Sequence, residues 1–144
     1  KADFLFSANR QVEPEELSHI ASGGELSRLM LCLKSILASS SGLPAIIFDE
    51  IDSGVSGEAA SMVGNILSDM GKSMQVINIT HLPQVASRGK VHYHVYKEES
   101  DHSTITRVRL LNDDERVTEV ARLLSGSTIT EAARRNAREL LKGN

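Results

Sequence analysis

Cysteine and aromatic residues are scarce in this sequence, and each shortage removes a class of function. Cys32 is the one cysteine among 144 residues, so no internal disulfide framework can form, and this usage fits a reducing cytosol. Tryptophan is absent, and aromatic residues make up only 3% of the chain. An aromatic platform that stacks the bases of single-stranded nucleic acid is therefore not expected.

Long apolar runs and an excess of basic charge are also missing. No run approaches the roughly 20 apolar residues that a helix needs to cross a bilayer, and no signal peptide is visible. Lysine and arginine number 16 against 19 for aspartate and glutamate, which gives a net charge of −3. The chain as a whole therefore carries no electrostatic sign of nucleic-acid binding.

What is present indicates a single globular domain covering residues 1–144. Hydrophobic residues make up 40% and charged residues 24% of the chain, which is ordinary for a soluble protein. A chain of this length can bury roughly two thirds of its unfolded surface. Because the sequence begins with Lys1 rather than Met, we also expect it to be a piece excised from a longer protein.

The central part of the chain alternates predicted helices and strands. A helix is predicted after Gly23-Gly24, ending at residues 39–42, from the apolar spacing of Leu26, Leu29, Met30, Leu33, Ile36 and Leu37. Apolar runs at residues 45–48 and 74–79 predict strands, the first of them covered on both faces. A helix is predicted at residues 58–70, stopped by Gly71, with one face made of Ala59, Met62, Val63, Ile66 and Leu67. This order favours right-handed crossovers and a parallel sheet.

The two ends of the chain carry simpler elements. Residues 3–8 alternate in polarity as an edge strand does, and the polar residues 10–16 predict a loop. Residues 90–97 and 103–110 predict a hairpin with a polar turn at 98–102. Helices are predicted at residues 113–124 and 130–141, with Ser127 or Thr130 as caps. The fold class is therefore α/β, with a terminal β-hairpin and two C-terminal helices.

The first motif with chemical content is Ser22-Gly23-Gly24-Glu25, immediately before the first long helix. Two glycines let the backbone approach a ligand closely, and the helix N-terminus offers unpaired N–H groups. With the Ser22 hydroxyl, these groups can form a phosphate cradle. A glycine turn with a serine N-cap is the alternative.

Two further motifs stand at predicted strand ends. The strand at residues 45–48 ends in Asp49-Glu50, which places both carboxylates at the carboxyl edge of a parallel sheet, where ligands bind. One carboxylate can hold Mg²⁺ through water, and the next can orient an attacking water. Thr80-His81 ends the following strand at the same edge. A solvated strand end and a structural histidine are the alternatives.

The order of these three motifs resembles the ATP-binding-cassette (ABC) ATPases. Residues 22–25 resemble the ABC signature, residues 45–49 the Walker B strand, and residues 53–56 the D-loop. The resemblance implies bound ATP and Mg²⁺, with Asp49 holding Mg²⁺ through water. Glu50 is the implied catalytic carboxylate, and His81 the switch histidine at the γ-phosphate. The implied contacts to nucleotide or across the dimer come from Ser22, Gly23, Gly24, Glu25, Ser53, Gly54 and Ser56.

Longer blocks narrow the resemblance to the RecN family of bacterial DNA-repair proteins, which is related to the SMC proteins. The blocks are FLFSAN, ASGGELSRLML, IIFDEIDSGVSGEAA and THLPQVAS, in this order, and the resemblance runs from about Phe4 to Leu141. The resemblance implies the C-terminal lobe of an ATPase head, with a three-layer, mostly parallel sheet of the P-loop NTPase type. It also implies a role in double-strand break repair and recombination.

The resemblance implies partners and leaves two alternatives. The implied partners are an N-terminal lobe that carries Walker A, a second head in an ATP-dependent homodimer, and DNA held by the full-length protein. The implied location is the bacterial cytoplasm at the nucleoid, without membrane contact. A transporter ATPase lobe is one alternative, which glutamine in place of Glu25 would favour. A non-catalytic dimerisation lobe is the other, and Glu50 and His81 argue against it.

The chain contains no Walker A loop of its own. Its GKS triplet, Gly71-Lys72-Ser73, has Ile66 where the motif requires glycine, and it precedes a strand instead of following one. A helix stop followed by a turn is the better interpretation. We therefore expect negligible ATPase activity from the isolated chain.

Overall fold

The computed structural model describes residues 3–7, 10–17, 23–100 and 103–143, except for the side chains at 23, 38–41 and 100. The chain divides into two compact units, Lys1–Thr80 and His81–Asn144. Within the described ranges, no helix is both long enough and apolar enough to cross a membrane. That both units belong to one domain remains a prediction.

A strand–helix–strand segment forms the centre of the first unit. Strand β3 (Ala45–Asp49) leads into helix α2 (Gly57–Met70), and strand β4 (Gln75–Ile79) returns parallel to β3. Ala45 lies opposite Gln75, and Asp49 lies opposite Ile79, so both strands end at the same edge. The predicted parallel pairing is confirmed, because a helix long enough to cross the strands separates them.

Helix α2 packs on a face that overlaps the predicted one only in part, at Val63 and Leu67. Its buried residues are Ala60, Val63, Gly64, Leu67 and Met70, whereas Ala59 and Met62 are exposed. The predicted stop at Gly71 is confirmed, since this residue caps the helix. Apolar side chains lie around much of the circumference of α2, so their spacing is compatible with either of two buried faces. We attribute the observed face to the small residues Ala60 and Gly64, which permit close approach.

The β3–β4 sheet is covered on one face within the described chain. Phe48 is 4% exposed, but Ile47, Ile77 and Ile79 on the opposite face are 66%, 45% and 53% exposed. The prediction that β3 is covered on both faces is therefore wrong for this chain by itself. Parallel sheets are normally covered on both faces, so these isoleucines form an unsatisfied apolar surface.

Helix α1 (Gly23–Ser41) packs against α2 and ends before Gly42, whose φ of +62° is a left-handed conformation suited to glycine. Leu31 is fully buried, while most of the predicted apolar face is exposed, namely Leu26, Met30, Leu33, Ile36 and Leu37. Short strands β1 (Leu5–Phe6) and β2 (Glu15–Glu16) pair antiparallel. The predicted loop at residues 10–16 was therefore wrong at its end, where backbone pairing with β1 outweighs the polar composition.

The second unit contains a hairpin and three helices. Helix α3 (Pro83–Ala86) was not predicted, although Pro83 at its start is a helix-initiating signal. Strands β5 (Tyr93–Ser100) and β6 (Ser103–Leu110) form the predicted hairpin, but pairing extends through Glu98 and Glu99, which had been predicted in the turn.

Helices α4 (Asp113–Ser125) and α5 (Glu131–Lys142) enclose the core of the second unit. Val120, Ala121, Ala133 and Ala137 are buried there, with Val117, Leu124, Ile129, Leu140 and Leu141 packed around them. Asn112 caps α4 in a reciprocal capping box with Glu115, and Thr130 caps α5 by accepting a 3.1 Å bond from the Ala133 amide. The Thr130 prediction is confirmed.

A candidate nucleotide site at the ends of two parallel strands

The two predicted carboxylates stand at the carboxyl end of β3, and both are exposed. Asp49 is the last residue of the strand, and Glu50 follows it directly. The Glu50 amide donates a 3.1 Å hydrogen bond to the Ile79 carbonyl, so pairing with β4 continues one residue beyond the strand. Glu50 has a φ of +48°, the one positive φ of a non-glycine residue in the described ranges. Such a backbone is uncommon outside glycine and indicates a locally constrained turn.

The turn after Glu50 contains the predicted D-loop residues. The Ser53 amide donates to the Glu50 carbonyl at 3.0 Å, and Gly54 has a φ of +75° that favours glycine. Ser53 and Gly54 are exposed. Ser56 is the N-cap of α2, but its side chain makes no capping hydrogen bond. Its hydroxyl is therefore not committed to the helix end.

Asp52 is a buried residue of this turn and was not predicted as a site residue. It is 0% exposed, and its Oδ2 accepts a hydrogen bond from Thr80 Oγ1 at the end of β4. Its other carboxylate oxygen is buried without a hydrogen-bond partner among the described residues. Asp52 and Thr80 are 28 positions apart. The sequence signal was an acidic residue two positions after Glu50, but the partner emerges only from the strand pairing.

The remaining predicted residues belong to other elements. Gly23, Gly24 and Glu25 form the first turn of α1, and Ser22 lies outside the described residues. An acidic residue in the first turn stabilises a helix through its dipole. His81 is exposed, follows Thr80 directly in the chain, and begins the second unit. The structure thus brings Asp49, Glu50, Ser53 and Gly54 together, while a pairing of His81 with Glu50 stays a prediction.

Proteins with the name DNA repair protein RecN align with almost the whole chain. DNA repair protein RecN of Deinococcus radiodurans is 49% identical over 138 residues, and that of Bacillus subtilis is 45% identical over 139. Each alignment covers 96% of this chain and 24% of the relative. This chain is homologous to part of RecN. It spans about a quarter of the length of the RecN proteins that it matches, which include one from Haemophilus influenzae at 45% identity.

Comparison of folds agrees with the sequence relationship. A chain from a study of the ATP-driven dimerization and DNA-stimulated activation of SMC ATPases matches with a TM-score of 0.59 and 16% identity. The match covers 82% of this chain and 70% of that chain. It confirms the predicted α/β fold class. No protein-family model matches the sequence.

The GKS triplet of this RecN homologue is a helix stop, as predicted. The amides of Gly71, Lys72 and Ser73 donate to the carbonyls of Leu67, Asp69 and Met70, at 3.0–3.1 Å. Lys72 Nζ also forms a 2.6 Å ion pair with Asp69. Because these N–H groups satisfy the end of α2, they are not available to cradle a phosphate.

The carboxylates at the end of β3 suit a Mg²⁺ ion that takes most of its ligands from water and phosphate. Among the described residues there is no cluster of three or more side chains that could enclose a metal ion. Mg²⁺ commonly uses one or two carboxylates and takes its other ligands from water and phosphate. Exposed Asp49 therefore suits an ion that arrives with a nucleotide. It does not suit a permanently enclosed metal.

A second cluster of polar side chains lies in the other unit of the RecN homologue, around His92. Burial lowers the pKa of His92 from its ordinary value, and the Arg116 guanidinium lowers this pKa further. Arg116 is fixed by a 2.9 Å bond from its Nη2 to the Gly89 carbonyl. Within the described residues, His92 Nε2 is buried without a hydrogen-bond partner. Burial and Arg116 thus disfavour the charged form of His92, and no group of three or more metal-binding side chains occurs in the part of the chain that the structure describes.

Proposed function

We propose that this chain is the C-terminal ATPase lobe of a RecN-like protein that acts in the repair and recombination of DNA double-strand breaks. The observation that carries the proposal is the pair of exposed carboxylates, Asp49 and Glu50, at the end of a parallel strand and before a glycine turn. Sequence identity of 40–49% to proteins named for DNA repair supports the biological setting.

The proposed roles follow the chemistry of phosphoryl transfer, which depends on positioning and charge stabilisation. ATP with Mg²⁺ supplies the γ-phosphoryl group and neutralises its charge. Asp49 holds Mg²⁺ through water, and Glu50 orients and deprotonates the attacking water. His81 contacts the γ-phosphate. Each of these side chains needs solvent access before the site closes, and all three are exposed in this chain.

The signature and D-loop residues act across a pair of heads. Residues 22–25 contact the γ-phosphate of ATP held by the opposite head, since a helix N-terminus attracts anions. Ser53, Gly54 and Ser56 communicate between the two nucleotides. The uncommitted Ser56 hydroxyl and the exposed Ser53–Gly54 turn support this role. Hydrolysis then depends on closure of two heads in a homodimer.

An N-terminal lobe with a Walker A loop completes the site. The apolar surface of Ile47, Ile77 and Ile79 supports this proposal, because an exposed patch of this kind marks an interaction site. The chain covers only 24% of its relatives, which leaves ample sequence for such a lobe. We place the full-length protein in the bacterial cytoplasm, at the nucleoid.

The deciding experiment joins this chain to the missing lobe through a short linker and measures ATP hydrolysis with and without double-stranded DNA. ATP hydrolysis that DNA stimulates is the expected result. Hydrolysis indifferent to DNA would favour a transporter-type lobe over a repair protein. Absence of hydrolysis in a folded, nucleotide-binding protein would leave only the dimerisation role.

A further inference from the structure

We infer that Asp52 is a positioning residue for Glu50, acting through its hydrogen bond with Thr80. The inference rests on the proposed function, because it assigns a supporting partner to the proposed catalytic carboxylate. Asp52 is fully buried, so it cannot reach a nucleotide itself, and it accepts its hydrogen bond from Thr80 Oγ1. Its effect on hydrolysis is therefore indirect.

The backbone of Glu50 is held from both sides. Its amide donates to the Ile79 carbonyl at 3.1 Å, and its own carbonyl accepts from the Ser53 amide at 3.0 Å. Asp52 lies inside the turn that the second bond closes, and Thr80 is the residue after Ile79. The Asp52–Thr80 bond is thus a second link between the same two chain segments, two residues further along one segment and one residue further along the other.

This second link opposes the conformational strain at Glu50. A left-handed backbone at a non-glycine residue persists only where the surrounding structure determines it. Of the two backbone hydrogen bonds at Glu50, only the one to Ile79 joins this turn to β4. A further bond, which Thr80 Oγ1 donates to Asp52 Oδ2, ties the turn to the end of β4 and restrains the Glu50 backbone, whose φ is +48°.

The presence of a carboxylate at buried position 52, rather than an apolar side chain, also supports a positioning role for Asp52. Burying a carboxylate is costly unless hydrogen bonds compensate it, and Asp52 Oδ1 is buried without a partner in the described part of the chain. An apolar side chain would fill the same interior without this cost. A directional hydrogen bond, unlike an apolar contact, specifies one separation and one angle between the two strand ends.

Loss of the link is expected to change turnover more than ATP affinity. A catalytic group misplaced by about 1 Å can lose about 100-fold in rate. The proposed nucleotide contacts at residues 22–25 and on the missing lobe do not depend on Asp52. Thr80→Val should therefore lower kcat and leave KM for ATP near its original value.

The test uses the full-length RecN-like protein and compares Thr80→Val, Thr80→Ser and Glu50→Gln with the unaltered protein. We expect Thr80→Val to lower kcat by about tenfold or more, with KM changed by less than about twofold. Thr80→Ser keeps the hydroxyl and should restore kcat. The double variant of Thr80→Val with Glu50→Gln should be no slower than Glu50→Gln alone, because both changes act on one group. Thr106→Val, on an exposed strand position, is the matched control and should have no effect.

The possible results distinguish failure of the inference about Asp52 from failure of the proposed function. Unchanged kcat in Thr80→Val alongside an inactive Glu50→Gln overturns the inference and leaves the proposed function standing. Wild-type turnover by Glu50→Gln overturns the proposed function. A loss in Thr80→Val that serine does not restore also contradicts positioning by the hydroxyl. If Thr80→Val does not fold, Asp52→Asn and Asp52→Ala replace it: the asparagine keeps an acceptor oxygen and should retain far more kcat than the alanine.

Discussion

The backbone amide of Glu50 donates a hydrogen bond to the carbonyl of Ile79, and this contact carries the pairing of two parallel strands into the candidate site. It fixes the first residue after β3 against the last residue of β4. The carboxylate that follows one strand and the Thr80-His81 segment that follows the other therefore start from the same sheet edge. This is the arrangement on which ligand binding in open α/β sheets depends.

The isolated 144-residue chain is expected to bind ATP too weakly for detection at micromolar concentrations. Its GKS amides are committed to the end of α2, so no N–H group of that segment can receive a phosphate. Isothermal titration calorimetry of ATP with Mg²⁺ into the purified chain tests this. A dissociation constant in the micromolar range would contradict the prediction, because it would show that the chain binds ATP without a Walker A lobe.

Stability of the chain should fall as the pH drops below the ordinary histidine pKa of 6.5. The pKa of His92 is lowered in the folded state by burial and by Arg116, so the unfolded chain binds a proton that the folded chain does not. The contribution of neutral His92 is fully present above the unfolded pKa and is lost as the pH falls toward the folded pKa.

The measurement is urea unfolding of the unaltered chain and of His92→Gln, at about pH 7.5 and about pH 5.5. The unaltered chain should lose more of its free energy of unfolding between these values than the variant does. Identical pH dependence in the two proteins would mean that His92 titrates normally in the folded state.

Close packing between α4 and α5 makes Ala137 sensitive to added volume. This residue is 0% exposed within a core that includes Ala121 and Ala133. Two extra methyl groups at Ala137→Val should lower the free energy of unfolding by about 1–3 kcal/mol through overpacking. Ala132→Val, on the exposed side of the same helix, carries only the propensity cost of about 0.5 kcal/mol. Equal losses in the two variants would contradict the packing.

Local patterns were sufficient to predict most of the helices and strands, though not α3 or β2. Asp49-Glu50 follows one apolar run, and Thr80-His81 follows the next. The same local pattern therefore predicts both the end of each strand and the position of the reactive side chains. The Thr130 cap and the Gly71 stop are likewise decided by residues within one helical turn. Each of these features depends on neighbours in sequence, which is why periodicity and capping rules predict them.

Features that depend on distant or missing residues were not predictable. The predicted face of α2 includes Val63 and Leu67, which are buried, but also Ala59 and Met62, which are exposed, because only packing decides which apolar side chains face the core. The exposure of Ile47 depends on what packs against the sheet, which the residues next to it in sequence do not determine. The Asp52–Thr80 bond joins residues 28 positions apart and follows from strand pairing rather than from any local motif.

The most direct test of the account is steady-state ATP hydrolysis by the full-length protein carrying Glu50→Gln, with ATP-driven dimerisation measured in parallel. Glu58→Gln, an exposed change in the first turn of α2, is the matched control and should hydrolyse ATP normally. The account predicts that Glu50→Gln loses at least about 100-fold in turnover and still dimerises with ATP, since it removes a base and not a binding group. Normal turnover by Glu50→Gln would contradict it.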